Sequence, residues 1–325
     1  MEEEIFKNRI DLTELSESVQ KIKAELGKVI VGQEDTIELM IASILCGGHV
    51  LLEGVPGVAK TLTAKLLSQS LDASFKRIQF TPDLMPSDVL GTSVFNPKTL
   101  EFEYKRGPVF ANLILIDEIN RSPAKTQAAL FELMEEKQVT IDGQTYLMEE
   151  PFLVIATQNP IEQEGTYRLP EGQLDRFFMK ILVDYPSPAD EIDLLRKFNY
   201  TSHVDLSGSV KPILKKSRLL KLRKTIREIV VDEELLKFIS SIVLATRNHK
   251  QIELGASPRA ALALMLAAKV WAAMAARDFV IPEDIKTVGI PVLRHRIILT
   301  ADAEMEGSTE DEILNEIFNS IEIPR

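Results

Sequence analysis

The sequence predicts an α/β fold in which a parallel five-stranded sheet lies between helices and is followed by a smaller helical domain. Short, nearly continuous apolar runs alternate with helical periodicity over the first 185 residues, and such runs are typical of parallel strands buried on both faces. A glycine-rich loop follows the first run and opens a helix. After two prolines within residues 185–191 the strand signals largely stop. The predicted strands span residues 49–54, 75–80, 112–117, 152–157 and 179–184.

The length of 325 residues suggests about two domains. We expect an N-terminal helix and the α/β core within residues 1–185, and the helical domain within residues 186–325. Two segments of the core are predicted to be β-hairpin insertions. Residues 81–110 are too long for an ordinary loop, and residues 137–149 alternate around an Asp-Gly pair, which is a strong hairpin signal. Simple decoration of the sheet edge is the alternative for both.

The charge balance weighs against a nucleic-acid partner. Thirty-eight basic and 49 acidic residues give a net charge of −11, whereas a basic face supplies most of the affinity for nucleic acid. The basic run at residues 211–224 contains no aromatic residues for base stacking. Its apolar residues can form one buried stripe, so we expect either a solvated helix or a contact with an acidic neighbouring subunit.

The remaining bulk features predict a cytoplasmic protein without membrane insertion. The single cysteine, Cys46, excludes an internal disulfide and fits a reducing compartment. The N-terminal residues are acidic and lack the apolar segment of a signal peptide. The most apolar run, residues 260–276, is interrupted by Lys269 and is too short for a bilayer span, so we expect a buried helix there.

Residues 54–61, GVPGVAKT, nearly match the phosphate-binding loop G-x-x-x-x-G-K-[ST], with alanine in place of the second glycine. In such a loop the backbone N–H groups point at phosphate and the next helix adds its positive end. Lys60 would neutralise phosphate charge and the Thr61 hydroxyl would bind Mg²⁺. We expect residue 59 to have the geometry of the first helical turn; a glycine turn with an incidental lysine is the alternative. The predicted nucleotide-binding residues of the loop are Gly54, Val55, Pro56, Gly57, Val58, Ala59, Lys60, Thr61 and Leu62.

An acidic pair, Asp117-Glu118, ends the apolar run at residues 112–117. Carboxylates at the carboxyl edge of a parallel sheet face the crevice where ligands bind. Asp117 suits a role as a Mg²⁺ partner, and Glu118 suits the general base that polarises the attacking water. A solvated strand end without function is the alternative.

Together these two motifs resemble those of the AAA+ ATPases, and the MoxR family closely, from about residue 29 to residue 295. Alanine before the lysine is common in that family's phosphate loop. The resemblance implies ATP and Mg²⁺ as ligands. It also implies that Val31 and Gly32, within VIVGQE, lie beside the adenine.

Three further positions carry the resemblance. Asn159 matches the first sensor, and Arg176, within the segment at residues 164–177, matches the arginine finger. Arg259, within GASPRA, matches the second sensor, which reaches from the helical lid. Arg121 is a rival for the contact between subunits. Singly, each position has an ordinary alternative: a turn, a surface charge or a helix cap.

An arginine finger that cannot reach its own phosphate implies an oligomer. The resemblance implies a ring, most simply a hexamer, with chaperone-like clients that carry von Willebrand factor A domains. A scaffold that binds ATP with little turnover and a magnesium-chelatase-like motor subunit are the alternatives. A DNA-directed motor is disfavoured by the charge balance.

Overall fold

A computed structural model describes residues 10–159, 167, 169–199 and 210–324 of the chain. Its first half alternates strands and helices in the predicted order. The elements are α1 (Thr13–Gly27), α2 (Glu34–Cys46), β1 (Val50–Gly54), α3 (Lys60–Ser70), β2 (Phe75–Gln79), α4 (Pro86–Leu90), β3 (Gly91–Asn96), β4 (Glu101–Arg106), β5 (Leu113–Asp117), a 3-10 turn (Ile119–Arg121), α5 (Ala124–Glu136), β6 (Gln138–Ile141), β7 (Gln144–Leu147), β8 (Leu153–Gln158), α6 (Glu171–Leu174) and β9 (Met179–Val183).

Five strands form one parallel sheet in the order β2-β5-β8-β1-β9. Val50 at the start of β1 pairs with Ile155 in β8 and with Met179 in β9. All five strands therefore begin at one edge of the sheet, the amino edge, and end at the other, the carboxyl edge. The predicted fold class is confirmed.

The apolar runs are buried on both faces of the sheet. In β5, Leu113 and Leu115 join the hydrophobic cluster that contains the C-terminal helices, whereas Ile114 and Ile116 join a second cluster with α5. This alternation follows from the two-residue period of a strand. Burial on both faces explains why β5 contains no polar residue before Asp117.

Both predicted insertions are antiparallel hairpins, β3–β4 and β6–β7. They contact each other: the rings of Tyr104 and Tyr146 lie 4.5 Å apart between centroids, and Ser93 donates a hydrogen bond to Asp142. The tip of β3–β4 exposes two large apolar side chains, Leu100 at 74% and Phe102 at 72%. The hairpins thus form one projection from the sheet.

The second half is mainly helical. Its first helix begins at Pro188, close to the predicted domain boundary near residue 185. The boundary itself stays a prediction. No helix among the described residues is long and apolar enough to cross a membrane. The elements are α7 (Pro188–Phe198), α8 (Lys216–Arg227), α9 (Glu233–Asn248), β10 (Ile252–Leu254), α10 (Pro258–Met274), α11 (Pro282–Leu293), β11 (Ile298–Leu299), α12 (Ala301–Met305) and α13 (Glu310–Ser320).

The basic run at residues 211–224 lies partly in α8. This helix buries Leu219 and Leu222, which is the predicted apolar stripe. Its cations include Lys216, whose ammonium lies 2.6 Å from a carboxylate oxygen of Glu149. Part of this basic run therefore forms ion pairs with acidic side chains of the same chain.

Candidate active site

The phosphate loop joins β1 to α3 at the carboxyl edge. A Cβ at Gly54 would lie 2.2 Å from the carbonyl oxygen of Val183 in β9, so only glycine fits there. Gly57 has a φ of +89°, which also favours glycine. These two positions keep the backbone close to the sheet and turn it toward α3.

The backbone of Ala59 differs from the prediction for residue 59. Its φ of 57° and ψ of 19° are left-handed, and it is the N-cap of α3, so the expected helical geometry at residue 59 is wrong. The left-handed conformation costs an L-residue roughly 1–2 kcal/mol. Strain of this kind is concentrated at ligand sites. The loop keeps the geometry that a glycine would adopt, although the residue is alanine.

Lys60 folds back onto the loop. Its Nζ donates a hydrogen bond to the Gly54 carbonyl oxygen at 2.5 Å. Burial lowers the pKa of Lys60, while the nearby carboxylates of Asp117 and Glu118 oppose that shift. The ammonium is thus held above the loop, where phosphate oxygens would be alternative acceptors.

Asp117 lies at the centre of a hydrogen-bonded group and is buried. The Thr61 hydroxyl donates to its Oδ2 at 3.4 Å, and the Thr157 hydroxyl donates to its Oδ1 at 3.1 Å. Arg77 donates from Nε to Oδ2 at 2.5 Å. A carboxylate and a hydroxyl this close form a set of oxygen donors that suits Mg²⁺.

Glu118 has a φ of 58°, a second left-handed residue at this edge. Its N–H donates to the Thr157 hydroxyl at 3.0 Å. Gln79 donates to its Oε2 at 2.8 Å, and Arg121 lies 3.1 Å from the same oxygen. Residues of β2 and the 3-10 turn therefore hold the carboxylate, and a residue of β8 holds the backbone.

Arg77, Gln79 and Thr157 were missed by the sequence analysis. In the register of β2 on β5, Gln79 pairs with Asp117. Arg77 and Gln79 are two residues apart and so point to the same face of β2. The polar positions within FKRIQF could have indicated contacts with the acidic pair. That inference requires knowing that β2 pairs with β5.

The adenine-side segment touches the phosphate loop. Gln33 donates from Nε2 to the Val58 carbonyl oxygen at 2.5 Å. Gly32 has a φ of +71°, and a Cβ there would collide with Asp190 of α7. Val31 and Gly32 therefore lie near the loop, and their adenine contact stays a prediction.

Asn159 follows β8, between the strand that leads to the loop and the strand that ends in the acidic pair. It is buried. The structure thus brings Asn159 to the carboxyl edge beside Lys60 and Asp117. Its role as the first sensor stays a prediction.

Arg176 lies at the amino edge, away from the phosphate loop. It precedes β9, and its Nη1 donates to the Phe131 carbonyl oxygen at 2.8 Å and lies 2.8 Å from Glu135 Oε2. Glu135 is at the end of α5, one residue after Met134, whose carbonyl oxygen accepts a hydrogen bond from His49 just before β1. Five residues of β1 separate the two edges by roughly 16 Å.

Arg259 lies beside Arg176, with its Nη2 2.9 Å from Glu135 Oε1. The role of Arg259 as the second sensor stays a prediction, but its side chain does not lie beside the phosphate loop of its own chain. The reason is the docking of α10, whose start lies at the amino edge. Both arginines line a cleft of about 340 Å³ together with Lys137 and Arg296.

Arg121, the rival finger, lies at the carboxyl edge with Glu118 of its own chain. It therefore does not share the location of Arg176. Within the predicted finger segment, residues 164–166 and 168 lie outside the described residues. Which arginine acts between subunits stays a prediction.

The arrangement divides the chemistry of a nucleotide site between two edges. The carboxyl edge holds the glycine-rich loop with Lys60 and the carboxylates of Asp117 and Glu118. The amino edge holds two guanidinium groups that share the single carboxylate of Glu135. One chain cannot bring the two sets together around one ligand.

Comparisons with known proteins agree with this architecture. A family model described as the ATPase family associated with various cellular activities (AAA) matches residues 49–179, and a model of the AAA lid domain matches residues 244–317. The protein YeaC of Bacillus subtilis is 45% identical over 304 residues, covering 94% of each chain. The chaperone MoxR1 of Mycobacterium tuberculosis is 43% identical over 310 residues, covering 93% of this chain and 81% of that one. The crystal structure of a candidate ATPase from Cytophaga hutchinsonii superposes with a TM-score of 0.87 at 45% identity, covering 95% of this chain and 96% of that one.

Proposed function

Because this chain belongs to the MoxR family of AAA+ ATPases, we propose that it hydrolyses ATP at sites shared between neighbouring copies in a closed ring. One observation carries the proposal: Lys60 and Glu118 lie at one edge of the sheet and Arg176 at the other. A complete site then needs two chains. Six copies is the number that the family resemblance implies.

In the proposed site, the carboxyl edge binds the phosphates. The N–H groups of the loop and the start of α3 face the β-phosphate. Lys60 exchanges its hydrogen bond to the Gly54 carbonyl for one to phosphate oxygens. That exchange keeps the partly buried ammonium paired throughout.

Thr61 and Asp117 would hold Mg²⁺, and their adjacent hydroxyl and carboxylate fit this cation. Bound there, Mg²⁺ would neutralise charge on the phosphate oxygens. Arg77 and Thr157 orient the carboxylate that faces it. Arg77 also neutralises Asp117 within the chain.

Glu118 would act as the general base. Hydrogen bonds from Gln79 and the contact with Arg121 hold one carboxylate oxygen, Oε2. The other oxygen can then accept the proton of the attacking water. Asn159 would orient the same water or the γ-phosphate.

Arg176 and Arg259 would enter the site of the neighbouring copy. Each would exchange its contact with Glu135 for the developing charge on the phosphate. A finger supplied in this way is worth about 10³–10⁵ in rate. The partial exposure of both guanidinium groups supports this, because an anion from outside the chain can reach them.

We further propose that hydrolysis drives chaperone-like remodelling of partner proteins in the cytoplasm. The printed description of MoxR1 as a chaperone supports the task. The tip of β3–β4 supports a contact with a partner, because the large apolar side chains of Leu100 and Phe102 are mostly exposed. Partners with von Willebrand factor A domains follow from the family resemblance.

The test is complementation between two inactive variants, Glu118→Gln and Arg176→Ala. Each variant alone should hydrolyse ATP near background. In rings that contain equal amounts of both, about one quarter of the sites combine an intact Glu118 with an intact Arg176 from the neighbour. Phosphate release should therefore recover to about a quarter of the unmodified rate.

Absence of recovery in mixed rings would contradict shared sites. For the unmodified chain, the rate per copy should rise with protein concentration and then level off. No phosphate release at any concentration would instead favour the nucleotide-gated scaffold. Pull-down with the Glu118→Gln ring loaded with ATP tests the partner class.

A further inference from the structure

Arg296 binds the segment that carries Arg176. Its side chain is only 2% exposed, and its Nε donates to Asp175 Oδ1 at 2.8 Å. One Nη group donates to the Phe178 carbonyl oxygen at 3.0 Å, and the other donates to the Phe177 carbonyl oxygen at 2.6 Å. One guanidinium thus contacts the residues before and after Arg176.

Two further side chains of the helical half bind the same segment. His295 donates from Nε2 to the Phe177 carbonyl oxygen at 2.9 Å, and burial holds the pKa of His295 well below its usual range. The Ser257 hydroxyl donates to Asp175 Oδ2 at 3.0 Å. Asp175 is therefore held through both carboxylate oxygens by residues that lie after α11 or before α10.

These contacts leave the backbone at Arg176 little freedom relative to the helical half. A planar guanidinium with donors in a fixed fork defines direction as well as distance. Its burial makes the pairing with Asp175 costly to break. Arg176, in contrast, is partly exposed, and its own contacts are to α5. The helical half thus fixes the position of the Arg176 backbone, whereas α5 holds its side chain.

We propose that Arg296 is a positioning residue for Arg176, which sets where the finger enters the neighbouring site and couples it to the helical half. The inference rests on the proposed function. Any shift of α11 relative to the sheet would be passed through Arg296 to the backbone of residues 175–178. Through this contact the helical half acts on hydrolysis in the next copy.

The first test is the kinetics of Arg296→Lys, which keeps the charge but loses the fork. We expect kcat to fall by about tenfold to 100-fold, because a displacement of about 1 Å can cost that much. The affinity for ATP should stay unchanged, since Lys60 and the loop are at the other edge. Arg277→Met is the matched control, because it removes the buried pair with Asp284 elsewhere in the helical half. It should leave kcat unchanged.

The second test asks which site carries the defect. In mixed rings, Glu118→Gln chains supply an intact Arg176 to Arg296→Lys chains, so activity should recover to about a quarter of the unmodified rate. Mixing with Arg176→Ala chains should give no recovery, because both variants donate a defective finger. The reverse pattern would overturn the inference, since it places the defect in the site of the variant's own chain. No recovery with either partner, or an unchanged kcat, would also overturn it.

Ser257→Ala is the milder variant for use if Arg296→Lys does not fold. It removes one hydrogen bond to Asp175 and leaves Arg296 in place. A smaller fall in kcat with the same partner dependence is expected, and normal kinetics would overturn the inference. The mixture of Glu118→Gln and Arg176→Ala is the separate control: if it fails to recover activity, the proposed function itself is wrong.

Discussion

The two edges of the sheet hold their charged residues in different ways. At the carboxyl edge Asp117 and Glu118 are held by hydrogen bonds from β2 and β8, and two non-glycine residues have left-handed backbone. At the amino edge Arg176 and Arg259 share one carboxylate on α5. The carboxyl edge holds its carboxylates through hydrogen bonds and ion pairs. At the amino edge the two arginines keep ion pairs with Glu135 that an anion of higher charge can replace. This difference predicts which changes affect catalysis and which affect stability.

The largest expected effect is that of Arg176→Ala at the amino edge. Hydrolysis should fall by about 10³ or more, because the transition state loses its finger. ATP affinity, measured with a fluorescent analogue, should change little because the loop is intact. Arg196→Ala, which removes an exposed ion pair with Asp193 on α7, is the control. A similar loss in both variants would contradict the assignment.

Glu118→Gln tests the carboxyl edge. We expect turnover to fall by about 10²–10⁴, the usual worth of a general base. Binding of ATP should persist, since Lys60 and Thr61 are untouched. The measurement is single-turnover phosphate release beside equilibrium binding. Normal hydrolysis in this variant would remove Glu118 from the role of base.

Acidification should destabilise the protein through His49, which lies under the amino edge. Burial lowers the pKa of His49 from 6.5 to about 4, and Val154 N–H donates to its Nδ1. Below pH 6.5 the His49 imidazole binds a proton in the unfolded chain but not in the folded chain. The free energy of unfolding therefore falls as the pH falls. From pH 7 to pH 5 His49 contributes about 2 kcal/mol to this loss.

Urea unfolding at pH 7 and at pH 5 measures this loss. The His49→Gln variant should lose about 2 kcal/mol less than the unmodified chain over that interval. Equal losses in the two proteins would show that His49 is protonated in the folded state.

The smallest effect concerns the strain at Ala59. Ala59→Gly should raise the free energy of unfolding by about 0.5 kcal/mol, because relief of left-handed strain exceeds the added entropy of the unfolded chain. Gly57→Ala, at a φ of +89°, should lower it by about 1 kcal/mol. Urea unfolding measures both. If Ala59→Gly were destabilising, the methyl group would matter more for packing than for strain.

Much of the carboxyl edge was predictable from the sequence because its chemistry is local. Loop residues such as Lys60 are consecutive in the chain, and Asp117 follows an apolar run that is unambiguous. The strands themselves were predicted within one or two residues for the same reason. Burial on both faces leaves a continuous apolar signal.

The rest of the site depends on tertiary contacts that no local pattern encodes. Arg77 meets Asp117 only because β2 pairs with β5. Arg259 reaches the amino edge only because α10 docks there, a placement that its sequence neighbourhood does not reveal. The left-handed backbone of Ala59 was also not predicted. Alanine seldom adopts this conformation, but the geometry of the loop requires it.

The opposite placement of the two half-sites gives each copy a polarity. In the proposed assembly the carboxyl edge of each copy faces the amino edge of the next, a head-to-tail arrangement that completes one site at each interface. An open arc of copies always has one complete site fewer than it has chains, because its last phosphate loop faces no arginine. Closure alone removes that deficit, so the final copy to join would activate two sites at once.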